Sequence, residues 1–184
     1  MAKQVVLGVT GSIAAYKAVD LASLLTKAAC EVDVVLTQDA QQFITPLPFK
    51  TLTRRPVLTN LYAEEEGWKP SHVRVADEAD LLVIAPATAN NLAKLAHGLA
   101  DDALTCIALA LNPEVPVLIA PAMNRKMWAH PATQSNVGML RERGVEFIGP
   151  EEGMLSCGDE GMGRLWNVEG ISQKAMEMLS ASEK

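Results

Sequence analysis

With 184 residues, 49% of them apolar and only 4% aromatic, the chain suits one domain whose core is built from Val, Leu, Ile, Ala and Met. Its formal charge of -6 argues against a nucleic-acid or acidic-membrane binder, since both surfaces are themselves negative. Cys30, Cys106 and Cys157 are odd in number and lack CxxC spacing, and no apolar run approaches the roughly 18 residues of a membrane span. The expectation is a cytoplasmic protein with neither a disulfide framework nor a thiolate metal site.

Residues 4–9, QVVLGV, are a β-branched run that predicts a strand, and a Thr-Gly-Ser turn leads from it into a helix. On that helix Ile13, Val19, Leu21, Leu24 and Leu25 recur at helical spacing. EVDVVLT, residues 31–37, predicts the second strand. From 38 to 70 the pattern is broken by Pro46, Pro48, Pro56 and Pro70, and YAEEEGWKP reads as an exposed loop. Ser71 is a candidate cap for a helix running to Glu78, and ADLLVIAPA then supplies a buried strand ending at Pro86. Two helical segments separated near Gly98 to Asp102 precede PVLIAPA, another strand. HPATQSNVGMLRERG predicts a helix stopping at Gly144, VEFIG a last strand, and residues 168–180 a closing helix.

Strands that are buried on both faces and alternate with helices imply an α/β fold of three layers, a parallel sheet between helices. There is no repeat or linker, so residues 1–184 read as a single domain. Ligands of such sheets bind beyond the carboxyl ends of the strands, which directs attention to the loops after Val9, Thr37, Ile84 and Ile119.

Gly11 and Ser12 lie where free amides favour a phosphate, although a plain glycine turn with a serine cap explains them equally well. Thr88, Asn90 and Asn91 open a helix after a buried strand and can offer hydrogen bonds to a mononucleotide or flavin edge, whereas capping accounts for only one of them. His97 and His130 lie at helix ends, where structural roles suffice. His72 follows KPS and can face a cleft as a base or donor. In APAMNRKMW, Asn124 is a neutral group able to hold a carboxylate. Arg125 and Lys126 can bind an anion or form a solvated face, and Met123, Met127 and Trp128 can wall a pocket or fill the core. LSCGDEGMGRL, residues 155–165, places Cys157 with Asp159, Glu160 and Arg164 among Gly158, Gly161 and Gly163. Glycines suit neither helix nor strand interior, so the segment reads as a chemically armed lid or as an ordinary surface loop with a buried thiol.

Taken together, VTGSIAAYKA, SHVRVADEADLLVIAPATANNLAKLAHGLADD, APAMNRKMW and SCGDEGMGRL resemble the homo-oligomeric flavin-containing cysteine decarboxylases, in order and across nearly the whole chain. The resemblance implies a flavodoxin-like fold, bound FMN and a trimer, alone or assembled into a dodecamer. It implies that His72 is the active-site histidine, that Asn124 grips the substrate carboxylate beside Met123, Arg125 and Lys126, and that Cys157 serves reduction of the enethiol intermediate. Gly11, Ser12 and Thr37 match phosphate-side flavin positions, and Thr88, Asn90 and Asn91 match the loop around FMN. Asn91 stands where relatives carry threonine, which changes the donor geometry. Ser156 and Leu165 also depart from the family's lid.

Within that family the motifs resemble most the branch acting on 4'-phosphopantothenoylcysteine, which yields 4'-phosphopantetheine in coenzyme A biosynthesis. A saturated cysteine amide has no electron sink beside its carboxylate, so the resemblance implies that oxidation of the carbon–sulfur unit precedes loss of carbon dioxide, and that the electrons then return. Two other readings are a decarboxylase of peptidyl C-terminal cysteine and a noncatalytic flavin-binding scaffold or regulator. A longer bifunctional protein carrying a synthetase half is also compatible with this chain.

Overall fold

Val5, Leu7 and Val9 point to one side of the first strand, β1 (Gln4–Val9), and Val6 to the other, and both sets are buried. This two-sided burial repeats along β2 (Glu31–Leu36), β4 (Leu81–Ala87) and β5 (Val117–Pro121), whose apolar residues enter the same two cores. The computed structural model describes residues 2–62, 70–154, 158 and 160–181. Two-residue strands β3 (Val57–Leu58) and β6 (Glu146–Phe147) complete a six-stranded sheet in the order β3-β2-β1-β4-β5-β6, with every pair parallel. Leaving out the short β3, the remaining strands follow the flavodoxin-like order 2-1-3-4-5.

One face of the sheet is covered by α1 (Lys17–Lys27), α2 (Pro46–Thr53) and α8 (Val168–Ala181), through Leu21, Leu25, Phe49, Ile171, Ala175 and Leu179. The other is covered by α3 (Ser71–Glu78), α4 (Ala89–His97), α5 (Ala103–Ala110) and α7 (Pro131–Glu142), through Val75, Leu92, Leu104, Ile107, Val137 and Leu140. The short α6 (Arg125–Ala129) precedes α7. Close packing depends on Gly8, where a Cβ would stand 2.4 Å from a Leu104 methyl. The three-layer α/β architecture expected from the sequence is therefore present.

Three local expectations change. Ser71 is the first residue of α3, not its cap: Pro70 holds the N-cap position with extended backbone, and no side chain caps the helix. Pro46 starts α2 instead of breaking the chain, because the first turn of a helix tolerates the missing N–H. Most informative is β7 (Glu151–Met154), which pairs antiparallel with β8 (Glu160–Arg164) as a separate hairpin, placing Gly161 and Gly163 inside a strand. The loop expected over 62–70 falls largely on residues 63–69, outside the described residues.

Candidate active site

The strand order reverses direction at β1, whose neighbours are β2 and β4, so the loops leaving β1 and β4 diverge and open a crevice. Two cavities occupy this end of the sheet. The larger, about 470 Å³, is lined by Gly11, Ser12, Thr88, Met123 and Asn124, together with Lys17, Met127, Met154, Gly163 and Arg164. The smaller, about 160 Å³, is lined by Thr10, Gly11, Thr37, Thr88, Asn90 and Asn91, with Asp39, Lys94, Asp101 and Asp102. Gly11 and Thr88 belong to both walls.

Most of the polar residues read from the sequence also shape the backbone. Ser12 Oγ accepts from Ala14 N at 3.3 Å, Thr37 Oγ1 from Ala40 N at 3.2 Å, and Thr88 Oγ1 from Asn91 N at 3.3 Å. Each hydroxyl thus ties down a turn in a residue that lines a cavity. A side chain at Gly11 would start 2.4 Å from the Asp39 Cβ, so glycine is required where the first two strand loops meet. Asn91 is 3% exposed, and its Oδ1 has no hydrogen-bond partner among the described residues. A buried carbonyl oxygen of this kind is costly unless a donor reaches it, which makes it a cue for a bound ligand.

Asn124 caps α6, its Oδ1 accepting from Lys126 N at 2.8 Å. That bond fixes the amide: Oδ1 is engaged with the helix, and Nδ2 is the donor end. The loop carrying it is docked to the hairpin, since Met123 N donates to Gly163 O at 2.9 Å. A Cβ on Gly163 would stand 2.2 Å from Met123 O, and one on Gly161 would stand 3.0 Å from Arg125 Cδ. These contacts explain the strand glycines: they let β8 lie directly against the Met123–Arg125 segment.

Not all candidates converge. Arg125 packs against β8 and lines neither cavity, and Lys126 faces a separate shallow hollow with Met127 and His130. His72, in the first turn of α3, is half-buried and also lines neither cavity, and its buried Nδ1 has no hydrogen-bond partner among the described residues. Cys157 and Asp159 lie outside the described residues. His97 bonds Asn136 Oδ1 through Nε2 at 3.1 Å, and His130 caps α7 by accepting from Ala132 N at 3.2 Å, in keeping with structural roles for both.

The structure adds Lys17, which the sequence did not single out, and gives the Arg164 of the 155–165 segment a place on a cavity wall. Lys17 and Arg164 line the larger cavity, and no carboxylate does so among the described residues. Lys17 follows Ser12 by five positions, a spacing without a motif of its own, although its place in the first turn of a helix beside the glycine loop is a usable signal. In the smaller cavity Lys94 bonds Asp101 at 2.6 Å and Asp102 at 3.2 Å. Burial pulls the Lys94 ammonium down, but its bonds to Asp101 and Asp102 outweigh burial and hold it above the usual lysine range. The same bond holds the Asp101 carboxyl below the usual carboxylate range. Anionic ligand ends are therefore favoured in the larger cavity, while the smaller presents hydroxyls, amides and carboxylates.

Comparison with known proteins agrees with this geometry. The family model described as Flavoprotein matches residues 1–180. A probable phosphopantothenoylcysteine decarboxylase of Streptococcus mutans is 48% identical over 179 residues, covering 97% of this chain and 100% of that protein. Several relatives described as the coenzyme A biosynthesis bifunctional protein CoaBC are longer, and the chain spans 42% of the Bacillus subtilis one. Among solved structures, a cysteine-to-serine variant of PPC decarboxylase complexed with pantothenoylaminoethenethiol superposes with a TM-score of 0.88 at 32% identity, covering 98% of this chain and 100% of that one. The FMN-dependent cysteine decarboxylase SpaF superposes with a TM-score of 0.84 at 35% identity, covering 97% of each chain.

Proposed function

Because the chain belongs to the Flavoprotein family, we infer that it is an FMN-dependent decarboxylase converting 4'-phosphopantothenoylcysteine to 4'-phosphopantetheine in coenzyme A biosynthesis. The observation that carries this reading is the full-length similarity to a probable phosphopantothenoylcysteine decarboxylase, combined with a cation-lined cavity at the switch point of the sheet. The residues present fit FMN: the orphaned Asn91 Oδ1 needs a donor, and Gly11 and Thr88 join two cavities of complementary chemistry. Gly11, Ser12, Thr37, Thr88, Asn90 and Asn91 would hold the cofactor. Bound FMN supplies the reversible two-electron oxidation that gives the cysteine unit an electron sink.

The protein's own groups then bind and orient. The Asn124 amide donates to the substrate carboxylate through Nδ2 while its Oδ1 stays on Lys126 N. Lys17 and Arg164 supply positive charge for the anionic substrate. His72 organises the reacting end, and Cys157 supports the proton delivery that accompanies reduction. We assign the same domain to all 184 residues. A trimer, alone or in a dodecamer, is the assembly this reading favours. Its support is that His72 lies apart from the cavity holding Asn124 and that Ile13, Tyr16 and Met127 leave apolar surface exposed at the cavity rim. No described helix is long and apolar enough to cross a membrane. A cytoplasmic location goes with the coenzyme A reading proposed here.

Anaerobic turnover of the flavin-loaded protein with 4'-phosphopantothenoylcysteine tests the proposal, with carbon dioxide and 4'-phosphopantetheine followed by mass spectrometry. Formation of both is the expected result. Turnover of a peptide ending in cysteine, with the phosphorylated substrate left intact, would replace it with peptidyl-cysteine decarboxylation. No turnover of either, with FMN bound, would point to a scaffold.

A further inference from the structure

Thr10 stands between β1 and Gly11, is 2% exposed, and lines the smaller cavity. Its N–H and its hydroxyl both donate to Pro86 O, at 3.2 and 2.7 Å, and the hydroxyl oxygen accepts from Thr88 N at 3.0 Å. One hydroxyl therefore joins the loop leaving β1 to the loop leaving β4, across the crevice where the sheet changes direction. The pairing between β4 and β5 shifts register between Ile84 and Ala87, so regular ladder pairing is interrupted where the Pro86 carbonyl sits. Thr88 Oγ1 then accepts from Asn91 N, which extends the chain of bonds to the residue with the orphaned acceptor.

We propose that Thr10 is a positioning residue for the flavin site: its hydroxyl sets the spacing between the Gly11 loop and the Thr88–Asn91 loop, so that both reach one ligand. A buried hydroxyl that both donates and accepts can be replaced by serine, which offers the same two functions, and not by valine, which offers neither. Valine would leave Thr88 N and one lone pair of Pro86 O without their partner, and the two loops would relax independently. Thr10 acts through Thr88 and Asn91 and need not touch the flavin. The inference rests on the FMN reading given above.

The test is reconstitution of deflavinated protein with FMN, following flavin fluorescence to obtain Kd alongside Tm of the apo form. Thr10→Val is expected to weaken FMN binding by about tenfold or more, the scale of one lost buried hydrogen bond, while Thr10→Ser stays within about threefold of wild type. Thr53→Val is the control, since Thr53 is a buried hydroxyl bonded to Phe49 O at 3.0 Å, away from both cavities. It should lower Tm without moving Kd. An unchanged Kd in Thr10→Val overturns the proposal, as does an equal loss in Thr10→Ser. Should Thr10→Val not fold, Thr10→Ala, which also removes both functions, is read in the same titration, and an unchanged Kd there overturns it equally. Failure of the wild type to bind FMN would overturn the cofactor reading itself, a result distinct from all of these.

Discussion

Asn124→Asp should separate the two jobs of this side chain. Aspartate caps helices as well as asparagine does, so the bond now made by Oδ1 to Lys126 N at 2.8 Å survives and stability should change by no more than about 0.5 kcal/mol. At the other end of the side chain, a donor becomes an acceptor carrying negative charge. Facing a substrate carboxylate at about 4 Å, it would meet a repulsion of about 4 kcal/mol at an effective dielectric of 20, and would also lose a charge-assisted bond of about 2 kcal/mol. Lys17 and Arg164 on the same cavity wall offset part of this. A net loss of about 4 kcal/mol, roughly a thousandfold in kcat/KM, is the expectation. Asn124→Ala loses the cap, about 1 kcal/mol, and the donor, but introduces no charge. The ranks should invert: the aspartate variant is more stable than the alanine variant and less active. Steady-state release of 4'-phosphopantetheine, with FMN content and Tm measured on the same preparations, decides it. An aspartate variant within tenfold of wild type, or more active than alanine, refutes the assignment of Asn124 to the carboxylate.

His72→Asn should keep its FMN, because His72 lines neither cavity, and lose most turnover; near-normal kcat would remove it from the reaction. Gly163→Ala should retain FMN but lower kcat/KM by about tenfold or more, since its Cβ would stand 2.2 Å from Met123 O, a backbone atom that no side-chain rotation can move aside. Gly158→Ala, which meets nothing within 4 Å, should cost only the strain of its positive φ, about 1 kcal/mol; similar kinetics in the two variants would count against hairpin docking. Arg55→Met should destabilise by about 3 kcal/mol in urea unfolding, because it strands the Asp33 carboxylate, 7% exposed and now held by Arg55 at 2.8 and 3.0 Å; Arg55→Met with Asp33→Leu should recover most of that, and no recovery would contradict a buried-charge origin. The raised Lys94 ammonium contributes stability that is complete below the unfolded lysine pKa of about 10.4 and is lost as pH rises through the higher folded value. The Tm gap between wild type and Lys94→Met should therefore stay level from about pH 7 to 9 and narrow above about pH 10.5, and narrowing already at pH 8 would be inconsistent with the pairing.

The sheet was legible in the sequence because its strands are buried on both faces, which leaves apolar runs such as LLVIAPA, buried at all seven positions. The hairpin was not. Its strands carry Gly153, Gly161 and Gly163, and the propensity that argues against glycine in a strand counts the cost of a missing side chain without knowing what lies opposite. At Gly163 the backbone of Met123 lies opposite, and only glycine fits, while a Cβ at Gly161 would meet the Arg125 side chain at 3.0 Å. Proline misled in the same way at Pro46, where the first turn of a helix accepts it. At the site, Gly11, Ser12, Thr88 and Asn124 were visible as turn and cap residues after strands, and the structure brings them to one cavity. Thr10 was hidden because a threonine at a strand end has no pattern, and its role arises only from a carbonyl 76 positions away in the chain. Lys17 was hidden because one lysine on an amphipathic helix ordinarily faces water.

The distribution of charge between the two cavities constrains how ligands enter. A phosphate or carboxylate in the smaller one would face Asp39, Asp101 and Asp102 against Lys94 alone, and Lys94 is already committed to two of them. In the larger one it would face Lys17, Ser12, the donor end of Asn124 and Arg164, which also pairs with Glu151 at 3.8 Å, with no described carboxylate on the wall itself. The FMN proposed here brings one phosphate, for the Gly11 and Ser12 end of that wall, and the proposed substrate brings two anionic groups, its phosphate and its carboxylate. Asn124 and Arg164 come from adjoining segments, the Met123 loop and β8, locked together by the Met123 N to Gly163 O bond. A ligand gripped at both anionic ends therefore spans two elements whose separation depends on one glycine. A peptide ending in cysteine carries the carboxylate and lacks the phosphate, so Arg164→Gln should weaken binding of the phosphorylated substrate more than that of the peptide. Equal weakening of both would place Arg164 at the carboxylate instead and leave the phosphate to Lys17.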